Sequence, residues 1–466
     1  MLPYFLGSVV QIPNSQRKMG IPHFLAIPYP ILGHMNPLLQ FCHVLAKNHA
    51  CKITFLSSDE HFNKLKKAAT SYSGMEEESS EMKMRLVSLP DGVDPNDDRS
   101  DQGKVIQTTR TTMVDLLPKL IEDVNAMDCN NKITCVIVTK NMGWALQVAL
   151  NLGIKGALFW PASATALASF DSMQTLIHQG IIDSQNGLPS NEHKEIHLSS
   201  NLPMMDPSAM PWYCLDNTFF FLHMKQEIQT LNQAQWWLCN TTYDLEPGAL
   251  SISPKLLPIG PLMADQTTTL ILKEDESCLE WLDQQQPRSV VYVSFGSMVS
   301  IRPNQFKELA LGLDLLNKPF LWVVRNGING CKNNNGLYPD EFHGSKGKIV
   351  NWAPQKKVLN HPAIACFVSH CGWNSTIEGV YCGVPFLCWP FVSDQLMNKT
   401  YICDVWKVGV GFEKGLILRE EIKKKVEMLL GDEGIKERCL RLKETMIKNK
   451  QGGEKNLNEF IDWAKE

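Results

Sequence analysis

Between Trp352 and Gln395 the chain reads WAPQKKVLNHPAIACFVSHCGWNSTIEGVYCGVPFLCWPFVSDQ, and the residue types in that run follow the order of parts in a nucleotide sugar. An exposed Trp352 can stack on a base, a contact that contributes roughly 1–3 kcal/mol. Ala353 and Pro354 behind it force an extended backbone, so the ring projects from a strand end. His370 closes an apolar run and Gly372 permits a tight turn. Asn374 and Ser375 then open a helix whose first N–H groups and positive dipole end face an anion. Glu378 lies within that helix, and Asp394 and Gln395 offer acceptors and a donor to sugar hydroxyls. Each residue alone has an ordinary explanation: N-capping for Asn374-Ser375, core packing for Trp352, helix capping for Asp394-Gln395. Only the combination is specific.

Loops of this kind need strand ends to carry them. Apolar, β-rich runs occur at His23–Pro28, Lys52–Ser58, Met84–Pro90, Thr134–Thr139 and Gly156–Trp160, with helical stretches at Pro37–Lys47, Val105–Met127 and Gly143–Leu152. The theme repeats with strands at Ser289–Ser297, Phe320–Arg325, Lys348–Asn351, Ile364–Ser369 and Pro385–Trp389, and helices at Asn304–Asn317, Asn374–Cys382, Asp394–Trp406 and Arg419–Leu430. Near-continuous apolar strands separated by helices predict α/β architecture with parallel sheets covered on both faces. We expect an N-terminal extension over 1–18, a first Rossmann-like domain over 19–256, a linker over 257–275, a second Rossmann-like domain over 276–447 and a terminal amphipathic helix over 448–466 that packs back on the first domain. Two such domains facing each other leave a cleft at the C-terminal ends of their strands, where open α/β sheets bind ligands.

The bulk properties exclude several classes. A net charge of −4 leaves no electrostatic footprint for nucleic acid or an anionic membrane, and no apolar run reaches bilayer-spanning length. The 14 Cys are scattered through apolar segments, which predicts buried thiols in a reducing, cytoplasmic setting. The cluster His361, Cys366, His370 and Cys371 matches no usual zinc spacing, so no metal site is expected. No G-x-G-x-x-G follows the first strand of either half, which argues against a nicotinamide oxidoreductase.

The motifs WAPQ, HP, F-x-x-HCGWNS, E-x-x-x-x-GVP and the closing DQ make Trp352–Gln395 similar to the signature box of the plant family 1 UDP-glycosyltransferases. The resemblance runs from Met19 over nearly the whole chain. It is nearest the branch that begins IPYP-x-x-GH and carries LPDG, here Leu89–Gly92. It implies a GT-B fold and no cofactor, with UDP-glucose as donor substrate. Trp352 would stack on uracil and Ala353 would meet its edge. Gln355 and Glu378 would hold the ribose, and Ser297, His370, Asn374 and Ser375 the diphosphate. Trp373, Asp394 and Gln395 would contact the sugar. Gln395 with Trp373 resembles the glucose-preferring pattern, whereas galactose-preferring members often carry His at the last position.

The resemblance also assigns a general base. His34, in the loop before helix Pro37–Lys47, reads by itself as a packed or capping histidine; the Gly33-His34 step matches the family's base. The family's partner Asp normally follows a strand, and Thr139 stands at that position, in VIVTKNMGW. A Thr hydroxyl can accept an imidazole N–H but supplies no charge to an imidazolium, and Lys140 would lower the histidine's pKa further if it pointed inward. Three readings follow: an acceptor that ionises easily, another group in place of the Asp, or a UDP-sugar-binding member with weak or no turnover. The acceptor pocket is expected from the first half, around Phe159-Trp160, a helix over Ser163–Gln179 and the apolar Trp212–His223 loop. That loop reads equally as packing and as a lid over a small lipophilic acceptor such as a flavonoid or other phenol. A monomer is expected.

Overall fold

The computed structural model describes residues 20–72, 84–94, 97, 99, 101–190, 195–213, 218–263, 274–325 and 338–466. The expected N-terminal extension and the Asp265–Thr269 run of the expected linker lie outside them.

The first half builds a parallel sheet from β1 (His23–Ile27), β2 (Lys52–Ser58), β3 (Met84–Leu89), β4 (Cys135–Val138), β5 (Lys155–Trp160), β6 (Trp236–Cys239) and β7 (Leu256–Pro258), in the spatial order 3-2-1-4-5-6-7. The second half builds another from β8 (Val290–Ser294), β9 (Phe320–Val323), β10 (Gly347–Val350), β11 (Ile364–Ser369), β12 (Phe386–Cys388) and β13 (Gly409–Gly411), in the order 10-9-8-11-12-13. Their central strands are buried on both faces, as runs such as VVYVS and IACFVS require once helices cover both sides. In each sheet the order reverses once, between β1 and β4 and between β8 and β11. Connections leave such a reversal in opposite directions and open a crevice beyond the strand ends.

β6, β7, β13 and the helix Glu433–Lys448 were not foreseen. The three strands are only three or four residues long, too short to show a period. Residues 257 and 258, expected to begin the linker, instead finish β7. The first helix begins at Leu32 rather than Pro37, so His34 lies in its first turn and not in a preceding loop. The Ile31 carbonyl accepts from both His34 and Met35 N–H and starts the helix before the proline is reached. The expected Asp394–Trp406 helix is α-helical only over Gln395–Thr400 and widens into a π turn over Tyr401–Val405. The stretch expected as one helix over Ser163–Gln179 is two, Ala164–Asp171 and Met173–His178. Of the expected Trp212–His223 loop, the residues from Thr218 on form the start of a helix to Leu231, because Phe221, Met224, Ile228 and Leu231 repeat at helical spacing on its buried face.

The terminal helix Lys450–Lys465 lies against the first sheet. Phe460 stacks on Phe24 at 5.5 Å, and Asn456 Nδ2 donates to the Pro258 carbonyl at 2.7 Å. The terminal helix thus packs on the first half, as expected. Among the described residues no helix is long and apolar enough to cross a membrane, and no three His, Cys, Asp or Glu side chains converge to hold a metal.

Candidate functional site

The two reversal points face a common cavity of about 1020 Å³. His34 and every donor-side residue named from the sequence line it; Thr139 does not, being fully buried behind His34.

On the second-half side, Gln355 organises a small polar network. Its Nε2 donates to Ser375 Oγ and to Glu378 Oε2, each at 2.8 Å, while Tyr292 OH donates to its Oε1 at 3.2 Å. Burial raises the Glu378 pKa, and the Gln355 hydrogen bond and Lys356 oppose that rise. Gln395 Oε1 accepts from the Phe391 and Val392 N–H groups at 2.8 and 3.1 Å, so the side chain can recognise a ligand only as a donor through its NH₂. Asp394 Oδ2 accepts from Asn398 Nδ2 at 2.9 Å. Trp352 is half-buried at the cavity wall with Ala353 behind it.

His370 is clamped between two glycines. A Cβ on Gly296 would come within 2.7 Å of its Nε2, and one on Gly372 within 2.4 Å. Gly372 is therefore needed for the ring's approach and not for the turn: its φ is −61°, and the left-handed residue is Cys371, at φ +64°. That conformation is held by Cys371 N–H donating to Ser369 Oγ at 3.1 Å and by Asn398 Nδ2 donating to the Cys371 carbonyl at 2.8 Å. Burial, reinforced by Arg325, lowers the His370 pKa to about 4, so the ring is neutral at pH 7 and can donate one N–H. Arg325 itself grips the Ser297 carbonyl and donates to that of Val299 at 2.7 Å, fixing the loop after β8.

Trp373 also ties the two halves together. Its buried ring donates through Nε1 to the Asn240 carbonyl of the first half at 3.0 Å, and the residue lines the cavity. The other residues that tie the halves together left no readable signal in the sequence. Trp406 Nε1 donates to the Leu245 carbonyl at 3.1 Å. Buried Glu246 accepts from the N–H groups of Ala164 and Thr165 and from the hydroxyls of Thr165 and Thr241, and Thr165 Oγ1 meets Tyr401 OH at 2.8 Å.

On the first-half side, the β1–β4 ladder sets the geometry. Thr139 N–H donates to the Ile27 carbonyl at 3.2 Å, one step beyond the paired residues. Thr139 Oγ1 accepts from Tyr29 N–H at 2.8 Å and lies 2.9 Å from His34 Nδ1. The hydroxyl has a single proton. If it donates that proton to Nδ1, the imidazole carries its hydrogen on Nε2 and cannot act as a base there; only the reverse tautomer can. A carboxylate, which only accepts, would remove this ambiguity. Burial holds the His34 pKa well below its ordinary value, and Lys140 lowers it further.

Lys140 does point inward. It lines the cavity, with its ammonium 5.5 Å from the Phe170 ring centre and 4.9 Å from that of Phe220. Glu227 supports the loop that carries it, accepting from Gly143 N–H at 2.8 Å, and Asn141, at φ +72°, meets His223 Nε2 through its Oδ1 at 3.1 Å. A readable signal for Glu227 existed: an acidic residue interrupting the apolar series Met224, Ile228, Leu231.

Comparison with known proteins accounts for the arrangement. Residues 209–451 match the model of the family described as UDP-glucoronosyl and UDP-glucosyl transferase. The chain is 38% identical to UDP-glycosyltransferase 83A1 of Arabidopsis thaliana, over 97% of this chain and 98% of that protein. It is 31% identical to linamarin synthase 1 of Manihot esculenta, over 96% of each. Among solved structures, a UDP-glucosyltransferase from Polygonum tinctorium, capable of glucosylating indoxyl and solved with 3,4-dichloroaniline, superposes with a TM-score of 0.79 at 25% identity, over 96% of this chain and 99% of that one. The Medicago truncatula protein UGT71G1, solved with UDP-glucose, shares the fold at a TM-score of 0.77 and 24% identity, over 96% and 99%. The two facing parallel sheets are those of the GT-B fold, and this chain belongs to the plant family 1 UDP-glycosyltransferases.

Proposed function

We propose that the protein transfers glucose from UDP-glucose to a hydroxyl or carboxyl of a small lipophilic acceptor, such as a flavonoid or other phenol, giving a β-glucoside. The carrying observation is that His34, from the first sheet's reversal point, and the Gln355–Ser375–Glu378 cradle with His370, from the second's, open on one cavity. The Polygonum tinctorium relative is a UDP-glucosyltransferase, which supports the same reading. In the reaction, UDP lies along the second half: Trp352 on uracil, Gln355 and Glu378 at the ribose, and Ser297, His370, Asn374 and Ser375 at the diphosphate. Asp394 and Gln395 hold the sugar. His34 takes the acceptor proton, the oxygen attacks the anomeric carbon, and UDP leaves from the opposite face, so an α-linked donor yields a β-product. Donors at the helix start stabilise the charge that grows on UDP. UDP-glucose is consumed as substrate, and no metal or cofactor takes part.

The test is incubation with UDP-glucose and a phenol panel. Glucoside formation on the weakly acidic members of the panel that disappears in His34→Ala supports the proposal. The hydroxyl at Thr139 favours a second reading, a donor-binding member with little turnover; UDP-glucose binding without product from any acceptor, acidic or neutral, would establish it.

A further inference from the structure

We infer that Lys140 makes this site select acceptors that arrive as oxyanions, the phenolates or carboxylates of flat apolar molecules, with the ionised oxygen docked beside its ammonium group. The inference rests on the glucosyl-transfer reading and deepens it by naming the acceptor class. Lys140 lines the cavity on the same side as His34, close enough for its charge to depress that imidazole. Its half-buried side chain sets the ammonium beside the Phe170 and Phe220 rings. Among the described residues no carboxylate forms an ion pair with it. Aromatic faces offset only part of what a cation loses on leaving water, and an anionic ligand supplies the rest.

The surroundings agree. Asp394 and Glu227 are the acidic groups that act on Lys140 electrostatically; the first is engaged by Asn398 and the second by Gly143 N–H. His34 and His223 are kept neutral by burial, with Lys140 adding to the effect and Arg110 also acting on His223. Burial lowers the Lys140 pKa to about 8 while Asp394 and Glu227 hold it up, so the group is mostly charged at neutral pH. The same chain has a hydroxyl, Thr139, where proton abstraction would be helped by a carboxylate. An acceptor already ionised makes that help unnecessary. Its oxygen lone pair forms the bond to the anomeric carbon, the bond to the diphosphate oxygen breaks with its electron pair, and the negative charge passes to UDP with no proton moved.

The probes are 4-nitrophenol, which ionises near neutral pH, and 4-nitrobenzyl alcohol, which does not. With full-length protein and UDP-glucose, Lys140→Met should lower kcat/KM for the phenol by about thirtyfold or more, as expected for removing one partner of a buried charge pair. The alcohol should be left within a few-fold, and Lys140→Arg should restore much of the loss. Equal losses on both acceptors would overturn the inference. A second measurement needs no turnover: 4-nitrophenol bound to the wild-type protein should ionise at lower pH than in solution, read from its visible absorbance, and Lys140→Met should abolish that shift. An unshifted pKa in the wild type, or the same shift in the variant, would overturn the inference too. A shifted pKa with no product from any acceptor would instead leave Lys140 as proposed and refute glucosyl transfer.

Discussion

Replacing Thr139 by Asp places a carboxylate beside His34, the base proposed above. The side chains are similar in size, and Thr139 Oγ1 already sits 2.9 Å from His34 Nδ1 with Tyr29 N–H donating to it, so a carboxylate would find two donors in place. Two unit charges 4 Å apart at an effective dielectric of 20 attract by about 4 kcal/mol, or about three decades of rate at 1.36 kcal/mol each. Desolvating the new carboxylate offsets part of that gain. The expected increase in kcat for an unactivated alcohol, with UDP release followed at saturating UDP-glucose, is therefore about tenfold to a thousandfold. The rate with a readily ionised phenol should fall or stay level, because the new carboxylate neutralises Lys140 and proton removal was not limiting. A folded variant that binds UDP-glucose like its parent and gains nothing with the alcohol would refute the missing-charge explanation.

Three further outcomes follow. Gly296→Ala places a methyl 2.7 Å from His370 Nε2 at a residue with φ +68°; titration calorimetry should show UDP binding at least about tenfold weaker, with strain of about 1–3 kcal/mol in the folded protein. Trp352→Ala should weaken UDP by the roughly 1–3 kcal/mol of a lost base stack, and equal affinity for UDP and for ribose-free pyrophosphate in the wild type would contradict that role. For His370, the folded pKa of about 4 lies below the unfolded 6.5, so its contribution to stability is whole above 6.5 and drains away as pH falls towards 4. The loss reaches about 3 kcal/mol below both values. UDP, by placing anions beside the ring, should raise that pKa and shrink the loss, which melting temperatures at pH 4.5 and 7.5 with and without UDP would reveal.

The α/β architecture and the longer strands were readable because sheets buried on both faces leave uninterrupted apolar runs, and Ile364–Ser369 and Lys52–Ser58 have the bounds the sequence suggests. The short strands β6, β7 and β13 were not, since a pairing of three or four residues is decided by its neighbours. The donor-side residues were legible as a group because they lie close together in the chain and face the cavity from consecutive loops. What the sequence hid is long-range. That the Trp373 indole reaches Asn240 and the Trp406 indole reaches Leu245 depends on segments far apart in the chain. Local propensity carries no trace of such partners.

The indole of Trp373 joins two things usually considered apart. The residue that starts the anion-facing helix is fastened to the other half of the molecule, and Trp406 repeats the fastening a few ångströms from it. Separating the halves must therefore break a buried hydrogen bond or drag the helix start out of register with the diphosphate. Interdomain opening and nucleotide affinity then share one thermodynamic coordinate, and linkage makes the coupling reciprocal. A bound nucleotide draws the halves together, and closed halves hold the nucleotide more tightly.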